Sequence, residues 1–268
     1  MLTDIARRAE ALITSKIRRD STALDAEIGH WGQIVALRIS TLRDLAPYNK
    51  ARGVNENDLP HLDAVSAFFT DAGIVPTLEV WAGDASERLG TALARRGLYA
   101  GAVTATLHLN LSDSRPVRPV PGAVTVEVLD PADDDTDYFT TLIGGYELTN
   151  ARPAHLAMLR AEHDPAIVRR YLARIDGRPA AAASLYLHPD GALLSGAATL
   201  PQHRRHGCQN ALITRRLADA SLLTDLAVVT VACGSASHTN LERAGFRLTH
   251  TRATWRPLNN TTVTGRRS

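Results

Sequence analysis

Hydrophobic and polar positions along the chain alternate between helical and strand periods over most of its length. At the start, Leu2, Ile5, Ala9, Leu12, Ile13 and Ile17 recur at helical spacing, which predicts an amphipathic helix. Asp4 and Glu10 interrupt its basic face, so a helix docked on the protein is expected rather than one lying on a membrane. Further on, "LPHLDAVSAFFTDAG" (59–73) predicts a second amphipathic helix and "PTLEVWA" (76–82) a strand. "DASERLGTALARRGL" (84–98) predicts a helix stopped at Gly97, and "YAGAVTATLHLNL" (99–111) a strand. "YNKARG" (48–53) reads as a polar loop without an assignable role.

The run "SDSRPVRPVPGA" (112–123) has linker composition, with three prolines and a glycine. It divides the chain into an N-terminal part, 1–111, and a C-terminal part, 124–268. Beyond it, "VTVEVL" (124–129) predicts a strand, and 133–148 and 153–164 predict helices. Residues 168–188 predict two strands joined at Asp176–Gly177, since Asp-Gly between apolar runs is a strong hairpin signal. A second Asp-Gly, at 190–191, opens the strand "ALLSGAATL" (192–200). A basic loop, a helix ending near Ser221, the buried strand "DLAVVTVA" (225–232), a short helix stopped at Gly245 and a last strand (246–255) complete the series. Antiparallel strands followed by β-α-β-α-β predict an α/β protein with a mixed, mostly antiparallel sheet flanked by helices.

"LARRGL" (93–98) resembles "LERAGF" (241–246), and the two glycines stand 148 positions apart. On the same offset, the helix expected at 64–72 overlies the one at 212–220. Two similar subdomains from an internal duplication are therefore expected. The first keeps the scaffold signals but has "VNENDLPHL" where the second has "HRRHGCQNAL".

Composition narrows the classes. Of 268 residues, 44% are hydrophobic and 22% charged, and the net charge is +2, so neither a dominant nucleic-acid field nor a disordered chain is indicated. No apolar run is long enough for a membrane span, and the N-terminal stretch lacks the apolar core of a secretory signal. The two cysteines, Cys208 and Cys233, make no disulfide framework; a cytoplasmic, reducing compartment is expected.

The candidate chemistry lies in "TLPQHRRHGCQNALITRRL" (199–217). A glycine between a strand and a helix start exposes backbone N–H groups, the helix N-terminus adds partial positive charge, and neighbouring arginines supply charge-assisted bonds. That combination suits phosphate oxygens. Neither a Walker loop nor a dinucleotide fingerprint is present.

"LPQHRRHGCQNAL" resembles motif A of the GCN5-related N-acetyltransferases (GNATs), [QR]-x-x-G-x-[GA]. Arg204 matches the Q/R position and Gly207 the first glycine, while Gln209 replaces the second small residue. The resemblance covers 124–258, and the first half is similar to the degenerate copy of tandem members. It implies that Ala197, Ala198 and Thr199 pair with pantetheine through their backbone. It further implies that Arg205, His206, Gly207, Cys208, Gln209 and Asn210 meet the pyrophosphate of acetyl-coenzyme A, with Arg204 beside them. Asn240 is expected near the pantetheine or thiol. Leu241 stands where many members have a tyrosine that protonates the thiolate, so Ser235, Ser237 or a water would serve, or no fixed acid is needed.

An amine acceptor must lose a proton, and the candidates for the base are Glu147 in "GGYEL", beside Tyr146, and Glu79 in "LEV". Their alternative is a solvated or paired carboxylate. His203-x-x-His206-x-Cys208 fits no zinc pattern, and no metal is expected. Cys208 and Cys233 read as packing residues, and Arg215 with Arg216 as a solvated helix face. The tryptophans are too scattered for a nucleic-acid stacking platform.

The function implied is an acyl-coenzyme A-dependent N-acyltransferase, passing acetyl from acetyl-coenzyme A directly to a small-molecule amine. Two alternatives stand beside it: a non-catalytic coenzyme A-sensing or partner-binding protein, and an aminoacyl-tRNA-dependent transferase on the same scaffold. A tRNA partner would bring a steep salt dependence, against which the near-neutral net charge argues.

Overall fold

The computed structural model describes residues 4–112, 124–148 and 150–258. The chain opens with α1 (Asp4–Thr22), β1 (Glu27–Trp31), β2 (Ile34–Arg38) and β3 (Lys50–Arg52). It continues with α2 (Leu62–Thr70), β4 (Leu78–Trp81), α3 (Glu87–Arg95) and β5 (Leu98–Asn110). Then come β6 (Val124–Leu129), α4 (Thr136–Gly145), α5 (Pro153–Glu162), β7 (Val168–Ile175), β8 (Arg178–His188) and β9 (Gly191–Thr199). The series ends with α6 (Cys208–Ser221), β10 (Leu226–Ala232), α7 (Ala236–Arg243) and β11 (Arg247–Pro257). The expected linker lies, from residue 113 onward, outside the described residues.

Two compact units form, each discontinuous in sequence. The first comprises Met1–Leu24 with Ala105–Thr249, the second Asp25–Thr104 with His250–Ser268. Helix α1, at the N-terminal end of the sequence, thus joins strands of the C-terminal half. Its stripe of Ala9, Leu12 and Ile13 is buried with Val168, Tyr186, Leu193, Leu226 and Val228. Lys16 on the same helix is buried too, donating to Asp20 Oδ1 at 2.5 Å and to the Glu162 carbonyl at 2.9 Å.

In the first unit the strand order is β5-β10-β9-β8-β7-β6. The pairs β6/β7, β7/β8 and β8/β9 are antiparallel, and β9/β10 is parallel. Asp176 and Gly177 both take positive φ in the β7–β8 turn, as the Asp-Gly signal required. At the next turn His188 pairs with Gly191, so the central residues are Pro189 and Asp190, and Gly191 already belongs to β9. Strand β8 is buried from Ala180 to Tyr186, on both faces, which is why it reads as an unbroken apolar run.

In the second unit the order is β1-β2-β3-β4-β11-β5. Here β1/β2, β2/β3 and β4/β11 are antiparallel and β3/β4 is parallel. Leu62, Val65 and Phe69 of α2 and Leu89 and Leu93 of α3 share a core with Ile34, Ala36, Ala51, Leu78 and Val80. The side chains of Lys50, Arg52 and Glu79 alternate with Ala51, Leu78 and Val80 and so occupy the other face of the sheet.

The order β1, β2, β3, α2, β4, α3, β5 is the order of β7, β8, β9, α6, β10, α7, β11. The last four elements of each set overlie at the 148-residue offset seen in the sequence. Each unit is completed by a strand from the other half of the chain: β4 has β11 as its neighbour, and β10 has β5. Strands β1 to β3 gave no clear sequence signal. They are 5, 5 and 3 residues long, and β1 is largely exposed, so neither length nor alternation marks them. The stretch read as a polar loop at 48–53 contains β3.

Candidate functional site

The first unit has a cleft beside the parallel pair. Strands β9 and β10 pair at Ala192/Ala227 and Leu193/Val228, near the start of both. Farther along β9, Ala197, Ala198 and Thr199 line a cavity of about 630 Å³. Its other walls are Gly145 and Tyr146, the loop residues His203, Arg204, Arg205 and Gly207, the first turn of α6 (Cys208, Gln209, Asn210), and Ala236, Ser237 and Asn240 of α7. Of the residues implied by the motif, only His206 is absent from the lining.

Local conformation explains the loop. Arg205 (φ 69°) and Gly207 (φ 84°) both take the left-handed region, which glycine enters without a Cβ penalty. Gly207 is the residue before α6, and no side chain caps that helix. No acid sits in its first turn, so its leading N–H groups and dipole face the cleft without a competing carboxylate. Helix α7 differs: Ser235 caps it, accepting from the His238 amide at 3.2 Å. That contact gives Ser235 a structural duty, whereas Ser237 and Asn240 are left on the cleft wall.

Helix α4 closes against β9 through a glycine pair. A Cβ on Gly145 would stand 2.7 Å from the Ala198 Cβ and 3.0 Å from the Thr199 nitrogen, and one on Gly144 2.7 Å from Leu200 Cδ2. The "GG" of "IGGYEL" is therefore a close-approach signal, and it carries Tyr146 into the cleft. Tyr146 is 39% exposed, yet its phenol end lies among buried groups. Burial, then Glu162, push its pKa well up, against an opposing hydrogen bond from the backbone of Ala197. It remains a neutral hydroxyl.

Glu147 sits at the rim rather than in the lining. It has positive φ (56°) and pairs with Arg204, whose Nη2 lies 2.5 Å from Glu147 Oε1 and 3.3 Å from the Gly145 carbonyl oxygen. Arg204 thus ties the loop to the end of α4. Both partners are about half exposed.

Glu79 is not among the residues that line the cleft, and it takes the alternative named for it, a paired carboxylate. It lies in the second unit and is 4% exposed. Its carboxylate accepts from Lys50 Nζ at 2.7 Å and Arg52 Nε at 3.0 Å, and Arg252 Nη1 stands 3.8 Å away. Burial pushes its pKa up, but Lys50, Arg52 and Arg252 together outweigh that and hold it at about 2. Such a carboxylate is a weak base at neutral pH.

Cys208 packs as expected, whereas Cys233 and Arg216 do not sit as expected. Cys208 is buried and lines the cleft, and burial pushes its thiol pKa up, away from nucleophile chemistry. Cys233 is exposed. Leu241, in the place of the usual tyrosine, is 4% exposed in the main core. Arg216 is no solvated residue: it is 2% exposed. No carboxylate is among the residues that line the cleft.

The fold is that of the GCN5-related N-acetyltransferases. A GCN5-related N-acetyltransferase from Kribbella flavida superposes with a TM-score of 0.69 at 21% identity, covering 98% of both chains. One from Sphaerobacter thermophilus gives 0.61 at 11%, covering 96% of both. A tandem GNAT protein from the clavulanic acid biosynthesis pathway gives 0.57 at 15%, over 83% of this chain and 81% of its own. No protein-family model and no curated protein matches the chain. Among the described residues, no helix is long and apolar enough to cross a membrane.

Proposed function

We propose that this protein is an acyl-coenzyme A-dependent N-acyltransferase that passes acetyl from acetyl-coenzyme A directly to a small-molecule amine. The observation that carries the reading is the cleft itself. It has strand amides at one end. At the other it has a helix start with no side-chain cap and no acid, flanked by His203, Arg204 and Arg205. That donor set fits a thioester joined by a long arm to a pyrophosphate.

In this reading acetyl-coenzyme A supplies the activated acyl group. Arg205, Gly207, Cys208, Gln209 and Asn210 hold the pyrophosphate through backbone N–H groups and charge. The amides around Ala198 and Thr199 bind pantetheine and polarise the thioester carbonyl, a contact of the kind that usually contributes most to catalysis. Ser237 and Asn240, on the cleft wall, are assigned to the side of the leaving sulfur, and thiolate leaves acceptably without a fixed acid. Glu147 is the nearest candidate for accepting the amine proton, directly or through water. The two halves of the chain, 1–111 and 124–268, are proposed to be diverged copies of one unit, the second retaining the loop. A cytoplasmic setting is proposed from the two free thiols.

A second reading, a coenzyme A-binding protein without turnover, is favoured by the absence of a carboxylate from the cleft lining. Turnover on a panel of amines separates the two.

The binding test is thermal unfolding with and without acetyl-coenzyme A, on the parent and on Gly207→Trp. At a hundred times Kd a ligand stabilises by about 2.7 kcal/mol, a rise in Tm of about 5–10 °C for a chain this size. The expected result is that rise in the parent and none in the variant. Equal shifts in both would overturn the loop assignment, and no shift in either would overturn the coenzyme reading.

A further inference from the structure

Arg216 of α6 is 2% exposed, and among the described residues no carboxylate is within its hydrogen-bonding reach. Its guanidinium donates instead to backbone carbonyls: Nε to Leu212 of its own helix at 3.1 Å, and Nη1 to Ser184 at 3.1 Å and Ser195 at 3.5 Å. Burial draws its pKa down to about 10, so it stays a cation at neutral pH. Burying a cation without a counter-ion is unfavourable, and two of the three carbonyls that hold this one belong to β8 and β9.

The pairing of β8 with β9 shifts register there. Ser184 faces Ser195, but Ala183 faces Ala197, so Gly196 is an extra residue on β9. The carbonyls around this bulge accept from buried side chains. Arg216 serves Ser184 and Ser195, Ser184 Oγ also bonds the Ser195 oxygen at 3.0 Å, and Tyr138 Oη donates to Ala183 at 3.1 Å. His163 Nδ1 lies 2.7 Å from Tyr138 Oη. With the Tyr138 proton spent on Ala183, His163 is the donor in that pair. Gly196 has φ 37°, and a Cβ on it would overlap the His163 ring, so the bulge requires glycine.

Along an antiparallel strand, successive amides point alternately toward the partner and away from it. One extra residue therefore decides which of the amides at 197–199 point away from β8. Leu200 N bonds the Ala180 carbonyl, so by this alternation the Ala198 amide faces β8, while those of Ala197 and Thr199 point to the cleft that all three residues line, and the Ala197 backbone bonds the Tyr146 phenol there.

We infer that Arg216, with Ser184 and Tyr138, is a positioning residue: by holding the carbonyls of the Gly196 bulge it sets which β9 amides face the cleft, and so aims the donors that polarise the acyl carbonyl. The bulge-holding part stands on the geometry alone; the catalytic part rests on the acyltransferase reading.

The test is residue-resolved hydrogen exchange on the parent, Arg216→Met and Arg216→Lys, paired with acetyl-coenzyme A binding and amine turnover. In Arg216→Met the amides at 195–199 exchange faster by about tenfold or more relative to the β7 amides at 170–173. Arg216→Lys, which keeps the cation and part of the donor set, recovers much of that protection. Turnover falls about tenfold to a hundredfold while acetyl-coenzyme A affinity stays within about threefold, because the pyrophosphate loop is separate. Should Arg216→Met not fold, Ser184→Ala, which removes a smaller part of the same network, gives a weaker change confined to the same amides. Exchange that rises uniformly across β7 to β9, or not at all, overturns the inference. So does a turnover equal to that of the parent. A parent that neither binds nor turns over acetyl-coenzyme A overturns the acyltransferase reading instead, and exchange at 195–199 still decides the bulge.

Discussion

The two parallel strand pairs, β9/β10 in one unit and β3/β4 in the other, have the same topological place and opposite chemistry. Beside β9 the residues at 197–199 are small, and they line the cleft with backbone rather than with charged side chains. Beside β3 the corresponding face holds Lys50 and Arg52 clamped on Glu79, with Arg252 next to them. One pair presents backbone to a ligand; the other binds its strands together with charge. An architecture therefore does not carry its function with it. Small residues and a glycine loop make a site of it, and a buried carboxylate among cations makes a support.

The largest test of this contrast is Glu79→Gln. It leaves three cations around a neutral amide, and removing one partner of a buried ion pair is destabilising by about 3–5 kcal/mol. Urea unfolding should show that loss, while acetyl-coenzyme A affinity per folded molecule is unchanged. The pH dependence follows the same sign. Glu79 has its folded pKa held near 2 against an ordinary 4.5, so its contribution is present above 4.5 and lost as pH falls toward 2. The stability gap between parent and Glu79→Gln should close over that window; a gap constant down to pH 2 would contradict the cluster.

Next in size is Gly207→Trp, which should abolish the coenzyme's stabilisation of about 2.7 kcal/mol and leave the Glu79 cluster untouched. The unliganded Tm of that variant checks the second half of the statement.

Asp20 supplies a pH effect of the opposite sign in the first unit. Burial pushes its pKa up to about 6 from 3.8, over the opposing pull of Lys16. A folded pKa above the unfolded one means stability is gained as pH falls from 6 toward 4. Asp20→Asn should remove that slope, as read from unfolding free energies at pH 4, 5, 6 and 7. A slope shared by parent and variant would mean that another group titrates there.

The smallest expected effect is at Glu147. Its pair with Arg204 is about half exposed, and exposed pairs contribute little to stability. Glu147→Gln should leave Tm nearly unchanged. It should tighten acetyl-coenzyme A binding by about twofold to fivefold, since a carboxylate beside the phosphate site is removed. If Glu147 accepts the amine proton, turnover in the same variant falls while that affinity rises.

Much of the fold was legible because its signals are local. The Asp-Gly at 176–177, the stops at Gly97 and Gly245, and the amphipathic faces of α1, α2 and α3 each depend on a few neighbouring residues. The loop was legible for the same reason: Gly207 must take positive φ wherever that turn is placed. Strands β1 to β3 were not, since short strands with exposed faces have no period to read. Tyr146 was noted beside the site, and what carries it into the cleft is Gly144–Gly145, whose close approach becomes visible only against β9.

Side-chain partners were the least legible. Glu79 and Glu147 look alike in sequence, each a carboxylate next to apolar residues, and Arg216 looks like its neighbour Arg215. Burial separates them, and burial is set by distant strands. By itself the sequence determined α1 and the order of helices and strands from α2 onward, the repeat at 148 positions and the phosphate-suited loop, because periodicity, glycine conformation and helix-start chemistry act within a few residues. Only the tertiary structure decided which carboxylate is locked among cations, which arginine holds the bulge, and which strand completes each unit. Those outcomes depend on desolvation and on contacts between residues far apart in the chain.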